Sequence, residues 1–388
     1  MPFTGKATFS AGPTLPEIAE DVADIVAILS PTETPLLNLL GDPGRAARST
    51  VHEWLEDQTI LRRSNVATPP TPADNGNSFT VEDPDLFLPG DQIRFDGSAE
   101  ILLVTAVNVA TSTLTVVRGY GGSVKAAILA DAGFEALSNA ALEGSDAAPA
   151  RFTLRARVAN YTQIFSATVE ISGSEQAVRQ IAVDDELDYQ KTLRLRELLR
   201  DLENTVINGR APAANPQGNA DTRRTLRGVL ASIATNRFVC GAGGTPGFTG
   251  VTNLDEPALN LAIRRIWEHG GARVDTIVVS GAQKRRINAF IPTTARTYSP
   301  TEAAFRDRVA IYESDYGLCD VVLSRHAPHN SVLLIDRSRM AVMPLVGRSF
   351  HYSPLATTGD RVHGQILGEY TLELRNEAAH GVITGLAA

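Results

Sequence analysis

The run from Ser172 to Gly209 contains no proline and is dense in helix-forming residues, and a helix of that length limits the folds open to the chain. Ser172 and Glu175 have the S-x-x-E spacing of a capping box, which predicts a short helix opening there. Asp184, Asp185, Glu186 and Asp188 then place negative charge where a second helix begins, as its dipole favours. Asn208-Gly209 stops that helix, with Pro212 beyond. From Asp184 to Asn208 it spans about 37 Å. Val183, Leu187, Leu195, Leu198, Leu199, Leu202 and Val206 form one apolar stripe at helical spacing, interrupted near its start by Asp184 and Lys191. Tyr189, Leu193 and Ile207 fall on the opposite side. Two readings fit this pattern. One is a helix lying on a sheet in an α+β domain; the other is a spine that also meets a neighbouring subunit through its second face.

The rest of the chain bears on that choice. With 388 residues there is length for two or three compact units. Thirty-six basic against 44 acidic groups leave a net charge of -8, which argues against clamping nucleic acid through phosphate contacts. Only four lysines occur, so the positive charge is nearly all arginine, the residue suited to fixed, forked pairs with carboxylates. Cys240 and Cys319 are the only cysteines and form no disulfide framework or C-x-x-C site, which fits a reducing compartment. The first residues, MPFTGKATFSAGPT, lack the apolar core of a signal peptide, and no run of apolar residues reaches membrane-spanning length.

Residues 1–16 read as an extended arm, followed by a short amphipathic helix over Pro16–Leu29 and another opened by Thr34-Pro35 over Leu36–Leu40. Alternation over Arg48–Leu61 predicts a strand with polar residues on both faces, as in an exposed hairpin. A proline-rich connector over Ala67–Gly76 separates it from a β unit over 79–140, whose evenly spaced turns predict a small barrel or sandwich. Long strands return over Ala150–Ile171. After the central helix, Asn253 is placed to cap a helix ending at Gly270-Gly271, with Leu259, Ile263, Ile266 and Trp267 on one face. The continuous apolar runs between Gly228 and Val346 predict a sheet covered by helices. Gly364–Asn376 reads as a long closing strand, and Gly381–Leu386 as a last one.

Patterns for chemistry are sparse. His326 and His329, with Asp320 or Asp336, form the one histidine grouping that resembles a zinc site, but Pro328 separates them and no H-E-x-x-H accompanies them. The loop Gly241–Gly247 lacks the G-K-[ST] ending of a phosphate loop. No G-x-S-x-G elbow occurs. No cofactor, metal or catalytic residue is therefore expected. What stands out is architecture. Two legs, 48–66 and 150–171, flank a β insertion, and such an excursion has too little core of its own to stand without a partner surface.

Several stretches carry a resemblance. They are HEWLED at His52–Asp57, LTVVRGYGG at Leu114–Gly122, EGSDA at Glu143–Ala147, NYTQIFSATVEISGSEQAV at Asn160–Val178, RDLE at Arg200–Glu203, IWEHGG at Ile266–Gly271 and ATTGDRVHGQILGEYTLELRNEAAHG at Ala356–Gly381. In this order the chain resembles the tailed-phage major capsid proteins of the SU10-like group, with the HK97-type shell fold.

The resemblance implies an α+β chain whose residues 1–47 form an N-terminal arm. Residues 48–78 and 141–171 are then the legs of the E-loop, and 79–140 a β insertion domain upon it. Residues 172–225 and 346–388 form a P domain around the spine helix, and 226–345 an A domain. The implied product is a structural subunit, not an enzyme. It self-assembles in hexamers and pentamers into an icosahedral shell around double-stranded DNA, without sequence-specific binding. A separate scaffolding protein, portal and decoration proteins are the implied partners. The implied location is the virion, assembled in the host cytoplasm, with no role for a membrane. Candidate inter-subunit contacts are Trp54, Arg62, Arg63, Arg151, Arg155 and Arg157 on the legs, and Tyr189, Leu193 and Ile207 on the helix. Lysine–asparagine crosslinking does not carry over, because Lys125 is the only lysine between Lys6 and Lys191. An encapsulin-like nanocompartment is the alternative shell, and a zinc hydrolase using His326 and His329 the alternative of another class.

Overall fold

The computed structural model describes residues 34–57, 62–73, 75–144, 155–177, 186–270, 273–290, 311–356 and 359–387. The Pro16–Leu29 helix, Arg151, Val183, Asp184 and Asp185 lie outside these residues. In chain order, α1 (Pro35–Leu40) starts with proline at a position that needs no backbone N–H. β1 (Val51–Glu56), β2 (Arg63–Thr68), β3 (Ser78–Val81), β4 (Asp91–Phe95), β5 (Ile101–Asn108), β6 (Thr113–Val117) and β7 (Gly133–Asn139) follow. β8 (Ala156–Tyr161) pairs with β1 in a two-stranded ribbon, and β9 (Gln163–Ser172) leads into α2 (Gly173–Ala177) and α3 (Glu186–Asn208). Then come α4 (Val229–Ser232), β10 (Arg237–Val239), α5 (Glu256–Gly270), β11 (Thr276–Val279), α6 (Gly281–Asn288), β12 (Ile311–Ser314), β13 (Gly317–Leu323) and β14 (Val332–Ile335). β15 (Met340–Pro344), β16 (His351–Pro354), β17 (Arg361–Leu374) and β18 (Gly381–Thr384) complete the chain. Two compact units result: residues 55–156, and the stretches flanking them.

The 55–156 unit is a closed barrel in the order β2-β3-β6-β5-β4-β7. Alternate residues of each strand point inward, so Val66, Phe79, Val81, Ile93, Phe95, Leu102, Val104, Leu114, Val116 and Phe134 fill the interior. Phe134 is the hub, stacked on Phe87 at 5.0 Å and edge-on to Phe79 at 5.9 Å. Bulges at β2/β3, β4/β7 and β5/β6 bend the strands enough to close. The predicted barrel is there, but its boundary moves. β2, assigned to the outgoing leg, is a barrel strand, and the proline-rich 69–76 stretch is a loop inside the barrel. A buried ion pair fixes that loop. Arg118 Nε and Nη2 donate to the Glu100 carboxylate at 2.8 Å each, while Nη1 reaches Ala73 O at 3.4 Å and Gly76 O at 3.3 Å. Glu100 also accepts from the Gly119 and Ala126 N–H groups. Burial pushes its carboxyl up, but the hydrogen bonds from Arg118, Ala126 and Gly119 outweigh this and hold it below the usual range.

In the other unit, a six-stranded sheet, β10-β18-β14-β11-β13-β12, is covered on both faces. One face sends Ile277, Val279, Val332, Leu334 and Ile383 into a core with α5. The other sends Val278, Leu333, Ile335 and Val382 into a core with α3 and a second sheet, β15-β17-β16, with β9 on β17. Burial on both faces accounts for the unbroken apolar runs TIVV and VLLI. β9 pairs with β17 over ten residues, from Gln163↔Tyr370 to Ser172↔Arg361. It is therefore a sheet strand, where a leg strand was expected. β18 likewise sits between β10 and β14 rather than beside the closing strand, and β15 pairs with β17 rather than with the larger sheet.

α3 ends at Asn208 as the sequence pattern predicts, and Ser172 Oγ accepts from Glu175 N–H at 3.2 Å as the capping box requires. Its 23 residues make it about 34 Å long. Leu198, Leu202 and Val206 are buried, as predicted. Ile207 is not on a second face: at 0% exposure it belongs to the subunit's own core with Leu226, Val229 and Ile233. The reason lies at the helix end, where Gly228 N–H donates to Gly209 O at 2.9 Å. A Cβ on either glycine would collide with backbone, so both must be glycine for the 226–229 segment to close over the last turn. Two further expectations change. Asp255, not Asn253, caps α5, accepting from Ala258 N–H at 2.9 Å, while Asn253 Oδ1 accepts from Arg286 at 3.0 Å. Trp267 is 54% exposed beside Tyr316 rather than packed with Leu259, Ile263 and Ile266.

Candidate functional site

The feature that organises the larger unit is the last third of β17. Even-numbered residues there, Leu372 and Leu374, enter the core shared with α3. Odd-numbered residues point the opposite way as the pleat demands, and they are polar: Glu369, Thr371 and Glu373. All three are nevertheless buried. A buried carboxylate needs donors and compensating charge, and each glutamate draws them from distant segments.

Glu373 accepts from Arg45 Nη2 at 2.7 Å and from His52 Nε2 at 2.6 Å, and Arg375 Nε lies 3.2 Å away. Burial raises its carboxyl, but the bonds from His52 and Arg45 outweigh burial and hold it below the usual carboxylate range. Four residues earlier, on the same face, Glu369 accepts from Thr162 Oγ1 and Arg224 Nη2, each at 2.6 Å, with Arg348 Nε 2.9 Å away. Between them, Thr371 Oγ1 donates to Tyr161 O at 3.1 Å.

Asn160 completes the junction. Its Nδ2 donates to Leu372 O at 2.7 Å and Arg227 O at 2.9 Å, while its Oδ1 accepts from the N–H groups of Tyr161 and Arg227. Thr162 N–H donates to Thr50 O at 2.9 Å, tying the two legs together. The segment before β1, β1 itself, the end of β8 and the loop after α3 thus all fasten to one strand. Chemically this arrangement is an anchor: the two carboxylates and the Asn160 amide are taken up by groups of the protein itself.

The residues singled out from sequence are spread over several elements rather than gathered in one cluster. Trp54 is half-buried, its ring 5.7 Å from that of His52. Arg157 lies 3.4 Å from Glu53, and Arg155 3.8 Å from Asp57, both highly exposed. Arg63 pairs with Asp96 on the barrel surface. Arg62 is committed inward, pairing with the buried Asp91 and donating to Leu86 O, so its role is to hold the barrel. Tyr189 and Leu193 are half-buried on α3. His326 is half-buried and His329 exposed, and among the described residues no three His, Cys, Asp or Glu side chains form a group that could hold a metal ion. Cys240 and Cys319 are buried as free thiols. Among the described residues no helix is long and apolar enough to cross a membrane.

Glu369, Glu373 and Asn160 escape a sequence reading because alternating polar residues on a strand suggest a solvated face. The available signal was the pair of acids four apart in GEYTLEL, within a strand too long to lie at a sheet margin.

A family model described as SU10 major capsid protein matches residues 2–387. Among solved structures, the chain is similar to one from Mycobacterium phage Bobi at 12% identity and a TM-score of 0.50, covering 96% of both chains. A chain from Mycobacterium phage Cain aligns at 10% identity and 0.50, covering 99% of both. One from Gordonia phage Cozz aligns at 10% and 0.51, covering 96% of this chain and 92% of that one. At these identities the likeness is one of fold. No curated protein sequence matches the chain.

Proposed function

The chain belongs to the SU10 major capsid protein family, and from that premise we propose how its parts share the work of a shell subunit. It is a structural protein of the tailed-phage head, and it associates with copies of itself to build the shell. The finer reading follows an HK97-type plan. Residues 1–47 serve as the arm, and the β1–β8 ribbon with the barrel serves as the E-loop and its insertion domain. The α3 helix with the β17 sheet serves as the P domain, and the six-stranded sheet with α5 and α6 as the A domain.

The observation that carries this reading is the family match over 2–387. The barrel carried between β1 and β8, and the anchoring of both legs on β17, support it. Copies meet as hexamers and pentamers, through Trp54, Arg63, Arg151, Arg155 and Arg157 on the legs and Tyr189 and Leu193 on the spine. Ile207 and Arg62 are left out, being used within the subunit. A net charge of -8 suits a shell that encloses double-stranded DNA without gripping it. A separate scaffolding protein, a portal and decoration proteins complete the assembly, which takes place in the host cytoplasm.

The test is co-expression of the full chain with a candidate scaffolding protein, followed by electron microscopy and assay of the contents. Closed shells holding nuclease-protected DNA support the reading. Shells filled with a protein cargo and no DNA would indicate a nanocompartment.

A further inference from the structure

Each buried glutamate of β17 has more than one arginine. Arg45 and Arg375 both approach Oε1 of Glu373, at 2.7 and 3.2 Å, so two guanidinium groups crowd one oxygen. Arg224 lies 2.6 Å from Oε1 of Glu369, and Arg348 2.9 Å from its Oε2. One arginine neutralises one carboxylate, and His52 and Thr162 supply hydrogen bonds in addition. Arg48 is a fifth arginine at this place. It follows Ala47, which bridges to Leu345, and the Leu345 carbonyl in turn accepts from Arg348 N–H. The Arg48 side chain is exposed and has no hydrogen bond or ion pair among the described residues.

The charges around the two glutamates therefore do not balance. Asp42, near Tyr370, is a third acid close by, and it forms no ion pair among the described residues. Arg339 and Asp336, beside Arg375, pair with each other. Five arginines against three acids leave at least two positive charges unmatched. They are accessible, because the side chains of Arg45, Arg348 and Arg375 stay 48%, 43% and 43% exposed. The whole chain, by contrast, carries a net charge of -8.

We propose that this basic patch is a docking site for side-chain carboxylates of a second copy of the chain. Charge complementarity selects that partner: the net charge is -8, and the excess of acid lies outside the patch. The arginine chemistry suits it too. Among the described residues Arg45 hydrogen-bonds Glu373 through Nη2 only, which leaves the rest of its fork for another carboxylate. Arg48 has its whole fork free among these residues. Duplex DNA is the poorer match, since it carries one charge per about 1.7 Å of axis and is held by longer basic tracts. The two buried glutamates thus serve twice, anchoring the legs within the subunit and fixing a row of guanidinium groups for a neighbour. The proposal rests on the reading of the chain as a shell subunit, and it adds a surface apart from the contacts on the legs and on α3.

The test is arginine labelling of the full-length chain with phenylglyoxal, read by mass spectrometry, in the unassembled subunit, in shells assembled without DNA and in DNA-filled shells. Arg45, Arg48, Arg348 and Arg375 are expected to react in the subunit and to be protected at least about tenfold in both kinds of shell. Equal labelling in the subunit and in empty shells would overturn the proposal. Protection in DNA-filled shells alone would assign the patch to phosphate and overturn it as well. Arg48→Glu reverses the member of the patch that makes no bond within the described subunit. Its melting temperature is expected to match wild type within about 2 °C, and its yield of shells to fall at least about tenfold. A wild-type yield would overturn the proposal. Should Arg48→Glu fold poorly, Arg48→Gln removes the same charge, and an undiminished yield of shells from it would count equally against the patch. Shells whose arginines stay reactive sink this proposal alone, whereas a wild-type chain that forms no particles by electron microscopy sinks the shell reading and the proposal together.

Discussion

Glu373 Oε2 lies 2.6 Å from His52 Nε2, a hydrogen bond between residues 321 positions apart that fixes the start of the outgoing strand to the closing one. The same carboxylate takes Arg45 at 2.7 Å, so a single side chain organises both segments. Its value to the fold comes from neutralising donors that would otherwise face a buried site without an acceptor.

Glu373→Ala is therefore expected to cost about 2–4 kcal/mol, below the top of the range for broken buried pairs because Arg45 is half-exposed and partly screened. Glu373→Gln separates charge from shape. The folded-state carboxyl is held below its ordinary 4.5, so its contribution is present above that value and is lost as pH falls through the folded value. Thermal melts at stepped pH should show wild type losing stability as pH falls below about 4.5 and Glu373→Gln losing less. Parallel loss in the two proteins would refute the assignment.

In the barrel, Arg118 holds the loop containing Ala73 and Gly76, and it neutralises Glu100 where both side chains are about 1% exposed. Arg118→Met leaves that carboxylate buried and unpaired, with an expected cost of about 3–5 kcal/mol. Hydrogen exchange should rise across 73–76 and 119–126. Exchange in α3 and β17 should stay as in wild type. An unchanged exchange pattern in the barrel loops would contradict the role given to this pair.

Much of the fold was legible where local chemistry decides it. Barrel strands follow from turns such as Asp96-Gly97, and α3 from its caps, because those signals act over a few residues. What stayed hidden depends on distant partners. Arg224 reaches Glu369 across 145 residues and Arg45 reaches Glu373 across 328, so the partners that allow either glutamate to be buried lie far from it in sequence. The proline-rich 69–76 stretch has linker composition, and the groups that fix it as a barrel loop lie far along the chain, the guanidinium of Arg118, Lys125 Nζ and the Ile128 N–H among them. Ile207 reads as outward by helical phase, but the 226–229 segment covers it.

The two leucine-class residues of α3 give opposing outcomes. Ile207→Ala empties core space and is expected to destabilise the isolated subunit by about 2–4 kcal/mol. Leu193→Ala, on a half-exposed face, is expected to change subunit stability by less than about 1 kcal/mol while lowering the yield of assembled particles. Chemical denaturation and quantitative particle counts, run on the same preparations, check both. Normal assembly by Leu193→Ala would remove that residue from the proposed contacts.

The central claim is that this chain is a shell subunit, and cryo-electron microscopy of the full-length protein expressed with a candidate scaffolding protein tests it most directly. The account predicts closed particles whose reconstruction places the β1–β8 ribbon and barrel of each copy against a neighbouring copy. A monodisperse monomer at high concentration, forming neither shells nor capsomers with scaffold present, would contradict it.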